Sequence, residues 1–158
     1  MIRKLSHKDT DVIYQVINQA ARAYRGVIPA DCYHEPYMTK EELRREMESM
    51  IFFGWEEEGQ LVGVMSFQPI KDVTLIRHAY VLPNYQRKGI GARLLTHLKQ
   101  MTKTKRLLVG TWADADWAID FYEKQGFRLM SNKDELLTRY WNIPQRQIET
   151  SVVLGVEL

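Results

Sequence analysis

Between Val73 and Leu98 the chain passes from a β-prone stretch, through a turn bearing two glycines, into a helix with an apolar face. Residues Val73 to Val81 are rich in β-branched and aromatic side chains, and Pro83 ends them. The turn Gln86-Arg87-Lys88-Gly89-Ile90-Gly91-Ala92 then leads into a helix whose Ile90, Leu94, Leu95, Leu98 and Met101 recur at helical spacing. Glycine at such a junction lets main-chain N–H groups approach an anion with no Cβ in the way. The helix N-terminus adds roughly half a positive charge, to which Arg87 and Lys88 add whole ones. A diphosphate suits this arrangement. Two familiar phosphate motifs do not fit. A dinucleotide fingerprint needs Gly or Ala where Leu94 stands, and a P-loop needs a Gly-Lys-Ser/Thr tripeptide that does not occur. On spacing alone, an ordinary glycine-rich strand-to-helix connection stays open as the alternative.

The remaining chain supplies further alternating elements. Ile2 to Leu5 reads as a strand, and Asp9 to Tyr24 as a helix with Val12, Ile13, Val16, Ile17, Ala20 and Tyr24 at spacings of four, stopped by Gly26 and Pro29. Val27 to Met38 is an irregular connector. Thr39 is placed to cap a second helix, with Glu42 at the capping-box spacing and Leu43, Met47 and Met50 facing inward. Ile51 to Trp55 and Leu61 to Phe67 form a hairpin about a turn that holds Gly59. After the helix from Gly89 to Thr102 come a strand (Arg106 to Trp112), a helix (Trp117 to Gln125) closed by Gly126, and a short strand (Phe127 to Met130). Asp134 to Trp141 reads as helical, Pro144 breaks it, and Thr150 to Val156 is a closing strand that could pair across a dimer. The expectation is one α/β domain over residues 1–158.

Composition narrows the classes. A chain of 158 residues that is 45% hydrophobic buries too much apolar surface to be disordered. Its longest apolar run, Leu61 to Phe67, falls far short of the ~18 residues that span a bilayer. Met1 to Asp9 has basic residues but no apolar stretch behind them, as a signal peptide would need, so a cytoplasmic location is expected. The single cysteine, Cys32, excludes an internal disulfide framework, and His7, His34, His78 and His97 lack paired metal-ligand spacing. With 22 basic and 20 acidic side chains, neither nucleic acid nor anionic lipid is demanded as a partner. Lys103-Thr104-Lys105-Arg106 reads as a solvated helix end.

A second signal lies downstream in Trp117-Ala118-Ile119-Asp120-Phe121-Tyr122-Glu123-Lys124-Gln125-Gly126-Phe127. By itself it reads as an aromatic stripe packed into a core. Taken in order, Gln-x-x-Gly-x-Gly after a strand and Ala-Ile-x-Phe-Tyr-x-x-x-Gly-Phe further on resemble the GNAT superfamily of acetyl-CoA-dependent N-acetyltransferases. The element order is similar too, over nearly the whole chain. The resemblance implies a mixed, mostly antiparallel sheet flanked by helices, with one splayed strand pair forming the acyl-CoA cleft. It implies that Gln86, Arg87, Lys88, Gly89, Ile90, Gly91 and Ala92 hold the pyrophosphate of acetyl-CoA, and that backbone groups of Ala79, Tyr80 and Val81 hold the pantetheine arm. It further implies that the Val81 N–H polarises the thioester carbonyl, and that Tyr122 protonates the departing thiolate.

Two positions depart from the family pattern. Ala115 stands where many members carry an asparagine that contacts the cofactor, and Leu108-Val109-Gly110-Thr111 lacks a glutamate base. These departures keep a non-catalytic acyl-CoA-binding module open as the alternative. The base candidates are His78, Glu35, Asp114 and Asp116, of which the two aspartates are more readily helix caps. No base is assigned. The acceptor amine is expected between Val27–Met38 and Tyr140–Thr150, where Tyr24, Tyr33, Tyr37 and Trp141 offer aromatic walls and Glu35 offers charge. Cys32 has no activating partner and is expected to be a bystander.

Overall fold

The computed structural model describes all 158 residues. Seven strands form a single sheet: β1 (Ile2–Lys4), β2 (Ile51–Glu57), β3 (Gln60–Ile70), β4 (Val73–Val81), β5 (Arg106–Trp112), β6 (Arg128–Leu129) and β7 (Ser151–Glu157), in the order β1-β2-β3-β4-β5-β7-β6. Every pairing is antiparallel except β4 with β5. Side-chain alternation sends neighbouring residues to opposite faces. Phe53, Val62, Leu107 and Val109 pack under α3 (Ile90–Met101) and α4 (Asp116–Lys124). Phe52, Leu61 and Val64 pack under α1 (Thr10–Ala21) and α2 (Lys40–Ser49). Leu75, Leu108 and Val153 pack under α5 (Lys133–Tyr140) and α6 (Gln145–Glu149). No helix is long and apolar enough to cross a membrane.

The local signals act as expected in most places. Thr39 Oγ1 accepts the Glu42 N–H at 3.1 Å and starts α2. Glu58 and Gly59 both take positive φ, the turn that matches strand twist in a two-residue hairpin. Other expectations need correcting. Val12 and Met101, placed on apolar helix faces by spacing, are 42% and 45% exposed because each sits at the margin of its buried stripe. Pro144 does not leave a loop behind it; it is the N-cap of α6, where its missing N–H costs nothing. Neither Asp114 nor Asp116 caps α4, whose N-cap is the buried Ala115. The closing strand β7 lies inside the sheet, with β5 along its length on one side and β6 on the other, so it offers no open edge to a second copy.

The feature that makes a site is the parting of β4 from β5. They pair only through Thr74–Ile76 and Leu107–Val109, although both strands continue. On its other side β4 carries an extra residue against β3: Val64 faces Tyr80, yet Ser66 faces Arg77. His78, at φ +52°, sits in that bulge. A bulge bends its strand and raises the local twist, so β4 swings away from β5 beyond it.

Candidate active site

The parted strands open a cleft of about 960 Å³. One wall is the turn after β4. Leu82 N–H donates to Val62 O at 2.8 Å, so by ladder alternation the N–H and C=O of Val81 point away from β3 toward the gap. Gln86 Nε2 takes the Val81 carbonyl at 3.0 Å and ties the turn to the strand end. Helix α3 has no side-chain cap, and its first internal bond is from Arg93 N–H to Gly89 O. The N–H groups of Ile90, Gly91 and Ala92 are therefore left for an outside acceptor. Gly89 has φ +79°, and a Cβ there would meet nothing within 4 Å. That open ground, beside three free donors, fits a phosphate group.

The structure brings most of the expected residues together. Ala79, Tyr80, Val81, Gln86, Arg87, Gly89, Ile90, Gly91, Ala92 and Tyr122 all line the one cleft. Lys88 does not, and its ammonium lies 5.2 Å over the Tyr85 ring instead. Gly91 serves a different end from Gly89: a Cβ there would stand 3.3 Å from Phe121, so its bareness lets α4 pack close to α3. Tyr122 is 4% exposed and packs edge-on against Phe121 and Phe127. Its hydroxyl has no partner in the protein, and no sealed side-chain N or O lacks one, so this hydroxyl reaches the cleft. Burial pushes the phenol up from its ordinary pKa, with Tyr24 adding to the effect, so it holds its proton through the neutral range.

The acceptor side is built around Tyr24. Tyr37 (5.2 Å between ring centres), Trp117 (5.8 Å), Tyr80 (6.5 Å) and Trp112 (6.5 Å) surround its ring. Trp112 Nε1 donates to Tyr37 Oη at 2.8 Å and locks the connector to β5. Trp117 is 46% exposed and lines the cleft, so the aromatic run in α4 is not purely core as its spacing alone suggests. Trp141 and Gln147 face the connector from the other side. Arg146 bridges to Asp31 through two bonds of 2.8 and 3.0 Å, and the segments that bound the acceptor side are thereby clasped together. Glu35 is not in the cleft; it is exposed and tied to Arg25 and Tyr33. Cys32 lines the cleft as a half-exposed free thiol.

Residues 13–127 match the sequence profile of the acetyltransferase (GNAT) family. The chain belongs to that family. Among solved structures, the GNAT fold here is similar to the PaiA N-acetyltransferase of Thermoplasma acidophilum in complex with coenzyme A, with a TM-score of 0.78 at 20% identity over 100% of this chain and 98% of that one. Among curated proteins it is 25% identical to the spermidine N(1)-acetyltransferase of Thermoplasma acidophilum over 81% of this chain and 88% of that enzyme. It is 32% identical to the peptidyl-lysine N-acetyltransferase YiaC of Escherichia coli over 48% of this chain, a match that spans about half (49%) of that enzyme's length.

Within this GNAT fold, several residues at the cleft escape a reading of the sequence. The side chains of Tyr80, Trp112 and Trp117 give no local sign of facing a cleft, because a strand or helix aromatic reads as core. Glu46 on α2 also lines it, beside Arg77 and His78. Nothing in the spacing of Glu46 and His78 announces that they meet, since 32 residues separate them. The one usable signal is the period of two in β4, which puts His78 and Tyr80 on one face once the bulge is known.

Proposed function

We propose that residues 1–158 act as one catalytic domain that moves an acetyl group from acetyl-CoA to a primary amine by direct attack in a ternary complex. One observation carries this: a partnerless phenol and an uncapped helix N-terminus open into the same cleft, on either side of a parted strand pair. The N–H groups of Ile90, Gly91 and Ala92, with Arg87 and Lys88 nearby, take the pyrophosphate. The free edge of β4 at Ala79, Tyr80 and Val81 takes the pantetheine arm as an added strand, with Gln86 holding the strand end in place. The Val81 N–H, turned into the gap, stabilises the thioester oxygen as it gains charge.

Tyr122 protonates the departing thiolate. A phenol with a raised pKa is a weak acid in water, but it is held here at the cleft in its protonated form and needs no pre-equilibrium to act. The rings about Tyr24 receive the apolar body of the amine and disfavour its charged form, which leaves the nitrogen lone pair free to attack. Relatives named for peptidyl-lysine and spermidine support a primary amine as the acceptor class. Thiol release from acetyl-CoA over a panel of amines tests the activity. Tyr122→Phe is expected to lose about 10²-fold in kcat with the Kd for coenzyme A unchanged. Full activity in that variant removes Tyr122 from the mechanism, and coenzyme A binding without turnover on any amine favours a non-catalytic acyl-CoA-binding module.

A further inference from the structure

Acetyl transfer needs a group to take the proton that the acceptor nitrogen sheds as it attacks. We propose that His78 is this general base and that Glu46 is its positioning residue, an inference that rests on the acetyl-transfer reading above. His78 stands in the bulge where β4 parts from β5. A histidine at positive φ is uncommon, and such backbone is kept where surrounding structure over-determines it. Its ring lies nearly parallel to Phe52, 6.0 Å away, and its Nε2 is 3.1 Å from Glu46 Oε1. Arg77 Nη2 meets the same carboxylate oxygen at 3.4 Å, while Arg77 Nη1 is spent on Gln68 at 3.2 Å.

This geometry settles the tautomer. The hydrogen bond from His78, with the nearby charge of Arg77, holds the Glu46 carboxyl below its ordinary range, so it is ionised and can only accept. Nε2 therefore carries the hydrogen and Nδ1 carries the lone pair, the same division of labour a carboxylate imposes on histidine in hydrolase triads. Nδ1 has no partner in the protein, and no sealed side-chain N or O lacks one, so Nδ1 faces open space. His78 and Glu46 both line the cleft. Burial depresses the imidazole and Arg77 adds to this, while Glu46 and Glu42 on α2 oppose it; the net direction is down, toward the neutral form. A free base is thus present at neutral pH.

The other candidates lie elsewhere. Glu35 is bound to Arg25 and Tyr33 outside the cleft, and Asp114 and Asp116 do not line it. His34 lines the cleft, but its Nδ1 is 2.8 Å from the Pro36 carbonyl. In the step itself, the neutral amine attacks the thioester carbon, and one N–H proton passes to Nδ1 as the N–C bond forms. The C–S bond then breaks, and the thiolate takes the proton of Tyr122. Water later removes the imidazolium proton and restores the phenol, so one amine and one thioester give one amide and one thiol.

The test is kcat at saturating acetyl-CoA and amine, over roughly pH 5 to 10, for wild type, His78→Gln and Glu46→Gln. His78→Gln is expected to lose about 10²-fold or more at neutral pH, with coenzyme A affinity unchanged and the acid limb of the profile gone. Glu46→Gln is expected to lose less and to move the acid limb to lower pH, because a group that raises the imidazole pKa is removed. His78→Gly accepts the positive φ and vacates the ring, so added imidazole should restore part of its rate even if His78→Gln folds poorly. A wild-type rate and profile in His78→Gln, or no imidazole rescue together with an unmoved limb in Glu46→Gln, overturns the assignment. A wild-type protein that binds coenzyme A and releases no thiol on any amine overturns the acetyl-transfer reading instead, and this assignment with it.

Discussion

A methyl group added at Gly89 would point into open space, whereas one added at Gly91 would press on the Phe121 ring at 3.3 Å. The two substitutions should therefore fail in different ways. Gly89→Ala forces a side chain into the left-handed region at a cost of about 1 kcal/mol, and its Cβ occupies the ground where a phosphate approaches α3. It is expected to weaken coenzyme A binding, read by calorimetry. Gly91→Ala leaves that ground clear but pushes α4, which carries Tyr122, away from α3. It is expected to lower kcat while the Kd for coenzyme A holds. Equal losses of affinity in both variants would contradict this separation of roles.

At the scale of elements, the acceptor side depends on joining two segments that the sheet itself does not hold. The connector after α1 and the helix α6 meet through Asp31 and Arg146, both exposed. Exposed pairs add little to global stability, so Asp31→Asn is expected to leave Tm essentially unchanged. Its effect should appear as a raised KM for the amine with the KM for acetyl-CoA unaltered. The pair also has a pH sign. Hydrogen bonding to Arg146 lowers the Asp31 pKa, so the clasp is present above the ordinary carboxylate range and is lost as pH falls through the lowered value. An unchanged amine KM in Asp31→Asn would show that the clasp does not bound the acceptor.

Across the whole molecule, the cleft runs between elements that belong to different packed clusters. Tyr122 and Ile90 come from the core under α3 and α4, while Tyr80 packs on the core under α1 and α2, and Leu137 and Trp141 on that under α5 and α6. A ligand that fills the cleft should tie the three together. At 100 times its Kd, coenzyme A adds about 2.7 kcal/mol to stability. For a chain of this size that is a rise in Tm of roughly 5–11 °C. Differential scanning fluorimetry with and without coenzyme A reads this directly, and an unmoved Tm would remove the cleft as its binding site.

Local chemistry alone determined much of this protein. Helix caps such as Thr39, the positive-φ turn at Gly59, the β-prone run Val73–Val81 and the glycine turn after it depend on neighbours within a few residues, and all appear where the spacing puts them. The order of elements and the candidate phosphate turn follow from the same short-range signals. Tertiary structure decided the rest. It showed that Lys88 and Glu35 point away from the cleft, that Trp117 stands open beside Tyr24, and that β7 is interior to the sheet. It alone joined Glu46 to His78, because their meeting depends on a one-residue bulge in β4 and on α2 packing across that strand. A bulge changes which face every following side chain takes, and that consequence appears only when the partner strand is in place.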